Sequence, residues 1–225
     1  MKTNIQNKIG HIESQSIGNT SHSNESLDLA ILSELASIGA GHAATALSDI
    51  LQQQVFITVP RIHDAPAHLL PKLFGLHEMP TTALYIRLAV GPECDILVML
   101  EAEEARKVAA MMTMAPSVDD LDPVLEASAV EELANIIVGS FLSAISDFIS
   151  MTLVPAPPIR IVDAFDAILD ELLVKNSMMY KRTVIFDISF TTTAQISKCM
   201  MLFFPSPDLE KLLLEKSKVL VENAP

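Results

Sequence analysis

The sequence predicts an α/β fold: two pseudo-symmetric αβ repeats that share one mixed, mostly antiparallel sheet, with two long helices on one face. Three observations carry that expectation. Glu34-Leu-Ala-Ser37-Ile38 and Gly41 return 98 positions later as Glu132-Leu-Ala-Asn135-Ile136 and Gly139. In the same frame Ala46, Ser48 and Asp49 return as Ala144, Ser146 and Asp147, and Pro60 as Pro158. Finally, each copy reads helix, strand, short helix, strand, strand, helix, and two such units combine most simply by pairing their strands about a pseudo-two-fold axis.

The first element is a helix over residues 26–52. Ser26 or Asp28 can cap it, and Leu29, Leu32, Leu35 and Ile38 keep the helical period. Gly39 and Gly41 inside it each cost about 1 kcal/mol relative to alanine, which is explained if another element packs closely there. A strand over 54–62 follows, with Val55, Ile57 and Val59 alternating. A short helical stretch at 69–74 leads to strands at 82–90 and 95–100, separated by a Gly91-Pro92 turn, and then to an amphipathic helix at 103–112. In the second copy Asp122 caps a helix with Pro123 at its first position, a strong start signal. That helix is expected to run to Thr152, followed by a strand at 159–162, a helix at 164–174, strands at 181–191 and 195–204, and a helix at 207–216. The domain reading is a disordered polar tail at 1–27 and one domain at 28–225, made of repeats 28–115 and 120–217.

Half of the 225 residues are hydrophobic, enough for one substantial core. The net charge of −13 disfavours nucleic acid as a ligand, because nothing replaces the backbone counterions, and equally disfavours an anionic membrane surface. Cys94 and Cys199 stand alone without metal-ligand spacing, which fits a reducing cytoplasm. The first 27 residues carry no apolar run for export. The stretch 133–154 contains one charge, Asp147, and has the length of a membrane span. Asn135, Gly139, Ser143, Ser146 and Asp147 nevertheless form a small or polar stripe at helical spacing, the pattern of a buried helix with one functional face.

That stripe carries the chemistry. Ser128, Glu132, Asn135 and Gly139 are separated by four, three and four residues and therefore share one helix face. Glu132 supplies a carboxylate, Asn135 an amide with both a donor and an acceptor, and Gly139 leaves room one turn on. The first copy offers Ala30, Glu34, Ser37 and Gly41 in the same frame, keeping the acid and losing the amide.

The pattern Ser-x-x-x-Glu-x-x-Asn followed 23 residues later by Pro resembles the active-site signature of the CheC, CheX and FliY family of chemotaxis phosphatases, CheC foremost. It stands here as Ser128, Glu132, Asn135 and Pro158, and in the first copy as a degenerate site, Ala30, Glu34, Ser37 and Pro60. The resemblance spans about residues 26–217. It implies hydrolysis of the aspartyl phosphate of a CheY-type response regulator. Asn135 would hold the attacking water and Glu132 would engage the partner's active site, with Ser128 and Pro158 in support. It implies no cofactor of the chain's own, the Mg²⁺ being the partner's. A CheD-type deamidase is a further partner implied by the family. The alternative is a non-catalytic binding module, as in FliM, which shares this fold without the phosphatase residues.

Competing motifs are weak. His63 and His68 flank Asp64 in a proline-containing segment without metal-ligand spacing, and Asp119, Asp120 and Asp122 read as complements to a helix dipole. Glu131 lies about 100° round the helix from Glu132 and meets Ser33 in the first copy, so it is set aside. The methionine pairs at 111–112, 178–179 and 200–201 read as packing or as an adaptable surface.

Overall fold

A computed structural model describes residues 29–66, 79–176, 182–192 and 196–222. The tail at 1–27, the helical stretch expected at 69–74, His68 and the methionine pair 178–179 lie outside the described residues. The chain runs α1 (Leu29–Leu51), β1 (Phe56–Pro66), β2 (Pro80–Val90), β3 (Cys94–Glu101), α2 (Ala102–Thr113), α3 (Pro123–Ile149), β4 (Val154–Pro155), β5 (Ile159–Ala164), α4 (Phe165–Asn176), β6 (Arg182–Thr191), β7 (Ile196–Pro205) and α5 (Pro207–Glu222).

The seven described strands form one sheet in the order β1-β6-β7-β3-β2-β4, with β5 beside β4 on the outer edge of β2. Each pairing among them is antiparallel. β3 and β7 meet at the centre, Leu97 opposite Leu202, so the pseudo-two-fold axis passes between them. The first strand of each repeat leaves its own hairpin: β1 pairs with β6 of the second repeat, and β5 pairs with β2 of the first. Each half thereby completes the sheet of the other.

Alternation along the strands produces two cores. Leu84, Ile86, Ile96, Val98, Phe186 and Phe203 face the side covered by α1, α2, α3 and α5. Ala83, Leu97, Met99, Ile185 and Leu202 face the other side, where Phe165, Ile168 and Leu169 of α4 pack. α3 lies over the middle of the first face. Its Phe141 ring meets Phe186 at 5.0 Å and Phe203 at 5.5 Å, both edge-on, contacts that contribute about 1 kcal/mol each beyond area burial. α3 is long and apolar enough by composition to cross a membrane, yet its apolar residues are spent on this core, among them Val130, Leu133, Ile137 and Phe141.

The duplication reaches atomic detail at the helix ends. α1 is followed by Gln52 at φ 50° and α3 by Ser150 at φ 56°, equivalent left-handed residues that stop both helices. The Ser48 hydroxyl accepts from the Val55 N–H at 3.0 Å, and Ser146 accepts from Leu153 N–H at 3.0 Å. The recurring serines thus steer the chain out of the helix and into the next strand. Because the left-handed turn at Ser150 ends α3, the helix stops three residues short of the expected Thr152. At its start Asp122 accepts from the Val124 and Leu125 N–H groups at 2.8 and 3.2 Å, with Pro123 following. Asp122→Ala is expected to cost about 1 kcal/mol, read as a lower urea midpoint at unchanged slope.

The matched prolines fall at matched interruptions. The β1–β6 register shifts between Thr58 and Arg61, where Pro60 stands, and Pro158 lies in the gap between β4 and β5. A proline cannot donate to the ladder, so the β1–β6 register slips at Pro60 while β1 continues, and β4 and β5 are separate strands on either side of Pro158.

Candidate functional site

Ser128, Glu132 and Asn135 lie along the exposed strip of α3, and Gly139 is half-buried at its far end. Among the described residues, neither the Glu132 carboxylate nor the Asn135 amide has a hydrogen-bond or ion-pair partner. The backs of these turns are anchored by Ala129, Leu133 and Ala134, all buried, so the helix is held rigidly while its polar strip faces solvent. The arrangement is a shallow surface suited to meeting another macromolecule. Two apolar residues at its N-terminal end, Val124 and Leu125, are 72% and 53% exposed and extend the strip as contact surface.

The glycines divide into two kinds. A Cβ built on Gly39 would stand 2.9 Å from the Phe141 Cα, so Gly39 is where α1 and α3 cross closely. A Cβ on Gly41 or Gly139 would meet nothing within 4 Å among the described residues. The close-packing explanation therefore holds for Gly39 and fails for Gly41. The two repeat-matched glycines leave open space beside Ser37 and Asn135, one turn along each helix.

Glu34 and Ser37 occupy the equivalent exposed strip of α1. The Ser37 hydroxyl donates to the Ser33 carbonyl at 2.9 Å, so its proton is committed to its own helix. Nothing at this position reaches outward as an amide does.

Glu126, Arg106 and Arg160 had no signal of their own in the sequence. Glu126, in the first turn of α3, lies 3.4 Å from Arg160 Nη2 of β5 and 3.7 Å from Arg106 Nε of α2. Pro158 is half-buried and stands two residues before Arg160. His63 approaches Asp187 at 4.0 Å across the β1–β6 pair. Asp119 lies 4.0 Å from Arg106, and Asp120 accepts from the Ser117 hydroxyl at 2.9 Å. Among the described residues, no group of three His, Cys, Asp or Glu side chains is arranged to hold a metal ion.

On the sheet face away from the site, buried Asp95 takes a fork from Arg87, Nε to Oδ1 at 3.0 Å and Nη2 to Oδ2 at 3.4 Å. Burial, with Asp95 adding to it, pushes the Tyr85 hydroxyl up to about 12. Burial raises both cysteine thiols as well, which keeps Cys94 and Cys199 protonated and unreactive.

A model of the CheC-like family matches residues 27–63 and 125–162, the two site helices with the chain that follows each. The chain is 26% identical over 183 residues to the CheY-P phosphatase CheC of Bacillus subtilis, covering 80% of this chain and 88% of that one. It is 30% identical over 168 residues to the flagellar motor switch phosphatase FliY of the same organism, covering 70% of this chain and 43% of FliY. Among solved structures, Thermotoga maritima FliY superposes with a TM-score of 0.67 at 21% identity, over 89% of this chain and 99% of that one. The FliM middle domain from H. pylori superposes with a TM-score of 0.58 at 10% identity, over 84% and 97%. These last two establish a shared fold.

Proposed function

Because both site helices match the CheC-like family model, we propose that the chain hydrolyses the aspartyl phosphate of a CheY-type response regulator, using the α3 site alone. The observation that carries this reading is the complete set Ser128, Glu132 and Asn135, exposed on one strip that ends at half-buried Gly139, with none of the described residues occupying it. An acyl phosphate is already activated, so the enzyme's task is to place a water in line with phosphorus rather than to supply a strong base. Asn135 suits that task, since its amide accepts from and donates to a water without titrating. Glu132, one turn earlier on the same strip, engages a cation at the partner's active site and fixes the approach. The open space at Gly139 lets the partner's backbone come close to the helix. The phosphoryl group and its Mg²⁺ arrive with the partner, and the reaction takes place in the cytoplasm with it.

The first site lacks the amide, and the Ser37 hydroxyl is turned back onto its helix, so α1 contributes no turnover. Installing the amide there tests both copies at once. With equal, independent sites, Ser37→Asn is expected to raise turnover per chain by about twofold. The assay is the decay of a phosphorylated CheY-type regulator in Mg²⁺ with substoichiometric chain. Decay at the spontaneous rate, together with saturable binding of the phosphorylated form, would replace hydrolysis by the binding-module reading.

A further inference from the structure

We infer that Glu126, clasped between Arg160 and Arg106, is a positioning residue for the α3 site; the inference rests on the hydrolytic reading above. Glu126 is two residues before Ser128, about 200° round the helix, so it points inward while Ser128 and Glu132 point out. Its side chain is only 17% exposed, and its carboxylate spans two guanidiniums from different repeats, Arg160 Nη2 at 3.4 Å and Arg106 Nε at 3.7 Å. Arg106 is itself fixed, donating to the Val118 carbonyl at 3.1 Å ahead of the helix. The clasp therefore ties the first turns of α3 to β5 on one side and to α2 on the other.

The clasp also supplies a reason for the distant proline. Pro158 breaks the edge strand, and β5 then resumes with Arg160 opposite Leu84, on the sheet face that carries α3. Two residues past the matching Pro60, the first copy has Ile62, packed against the apolar core. The arginine is not there for packing: its Nε is buried without a hydrogen-bond partner among the described residues, an arrangement that costs stability. The copy that keeps the amide is thus also the copy that keeps the clasp. Sequence separation hides this link, since Glu126 and Arg160 are 34 residues apart.

The test uses Glu126→Gln, Arg160→Met, which keeps the aliphatic stem, and the double variant. Each single change is expected to raise the KM for the phosphorylated regulator about fivefold with kcat within about twofold, because docking through Glu132 suffers before water placement does. The double variant should be no worse than either single one, and Arg160→Lys should recover part of the loss. Amide exchange over residues 124–132 should quicken in both singles. An unchanged KM, or a loss of kcat that follows the loss of melting temperature across the set, overturns the clasp. Inactivity of the unmodified chain would instead sink the hydrolytic reading; a fivefold weaker Kd for the phosphorylated regulator in the singles would still support the clasp, and an unchanged Kd would overturn it.

Discussion

Asn135→Ala should slow regulator dephosphorylation on the order of 100-fold while leaving the fold as stable as before or slightly more so. The stability half follows from position: the side chain is exposed and unpartnered among the described residues, and alanine is the better helix former by about 0.6 kcal/mol. The activity half follows from role, since a methyl group cannot hold a water in line. Measuring both on one preparation separates chemistry from folding. Full activity in this variant would remove Asn135 from the mechanism whatever the family, whereas a rise in KM at constant kcat would make it a docking residue.

The second large effect is on the fold. Gly39→Val is expected to destabilise by about 3 kcal/mol, because the added carbons collide with the Phe141 backbone and α1 must lift from α3. For a chain of this size that corresponds to a fall in melting temperature of roughly 10 °C. Gly41→Ala, two residues away, should do the opposite and add about 1 kcal/mol, since its Cβ enters open space and the helix loses a flexible residue. Gly139→Ala should stabilise in the same way, yet it places a methyl group where the partner approaches. A variant that melts higher and turns over more slowly would identify that glycine as kept for docking. Equal destabilisation at residues 39 and 41 would contradict the close crossing of α1 and α3 at Gly39.

Much of this architecture was legible because the information is local. A carboxylate, an amide and a glycine at four-, three- and four-residue spacing must share a face on any α-helix, so the Ser128–Gly139 strip needed no tertiary knowledge. Asp122 and Pro123 mark the start of α3 by chemistry that acts within one turn. Runs of strand character at 82–90, 95–100, 181–191 and 195–204 marked β2, β3, β6 and β7, but not that both faces of the sheet are covered. The duplication implied a pseudo-two-fold axis, and the centre of the sheet has one between β3 and β7.

What the sequence determined by itself, then, is the pair of repeats, the helix faces and the difference between Asn135 and Ser37. Only the tertiary structure decided how the halves interlock, with β1 and β5 each exchanged onto the other repeat's hairpin, because strand pairing is a contest between distant segments. It also decided that Gly39 is a contact and Gly41 an opening. The two read alike in sequence, and what separates them is which side of α1 meets the backbone of α3. The same holds for Glu126, whose two arginines come from elements far along the chain in either direction. Spacing along one helix is set by the geometry of that helix, whereas a partner across a sheet or a helix crossing exists only once the whole chain has packed.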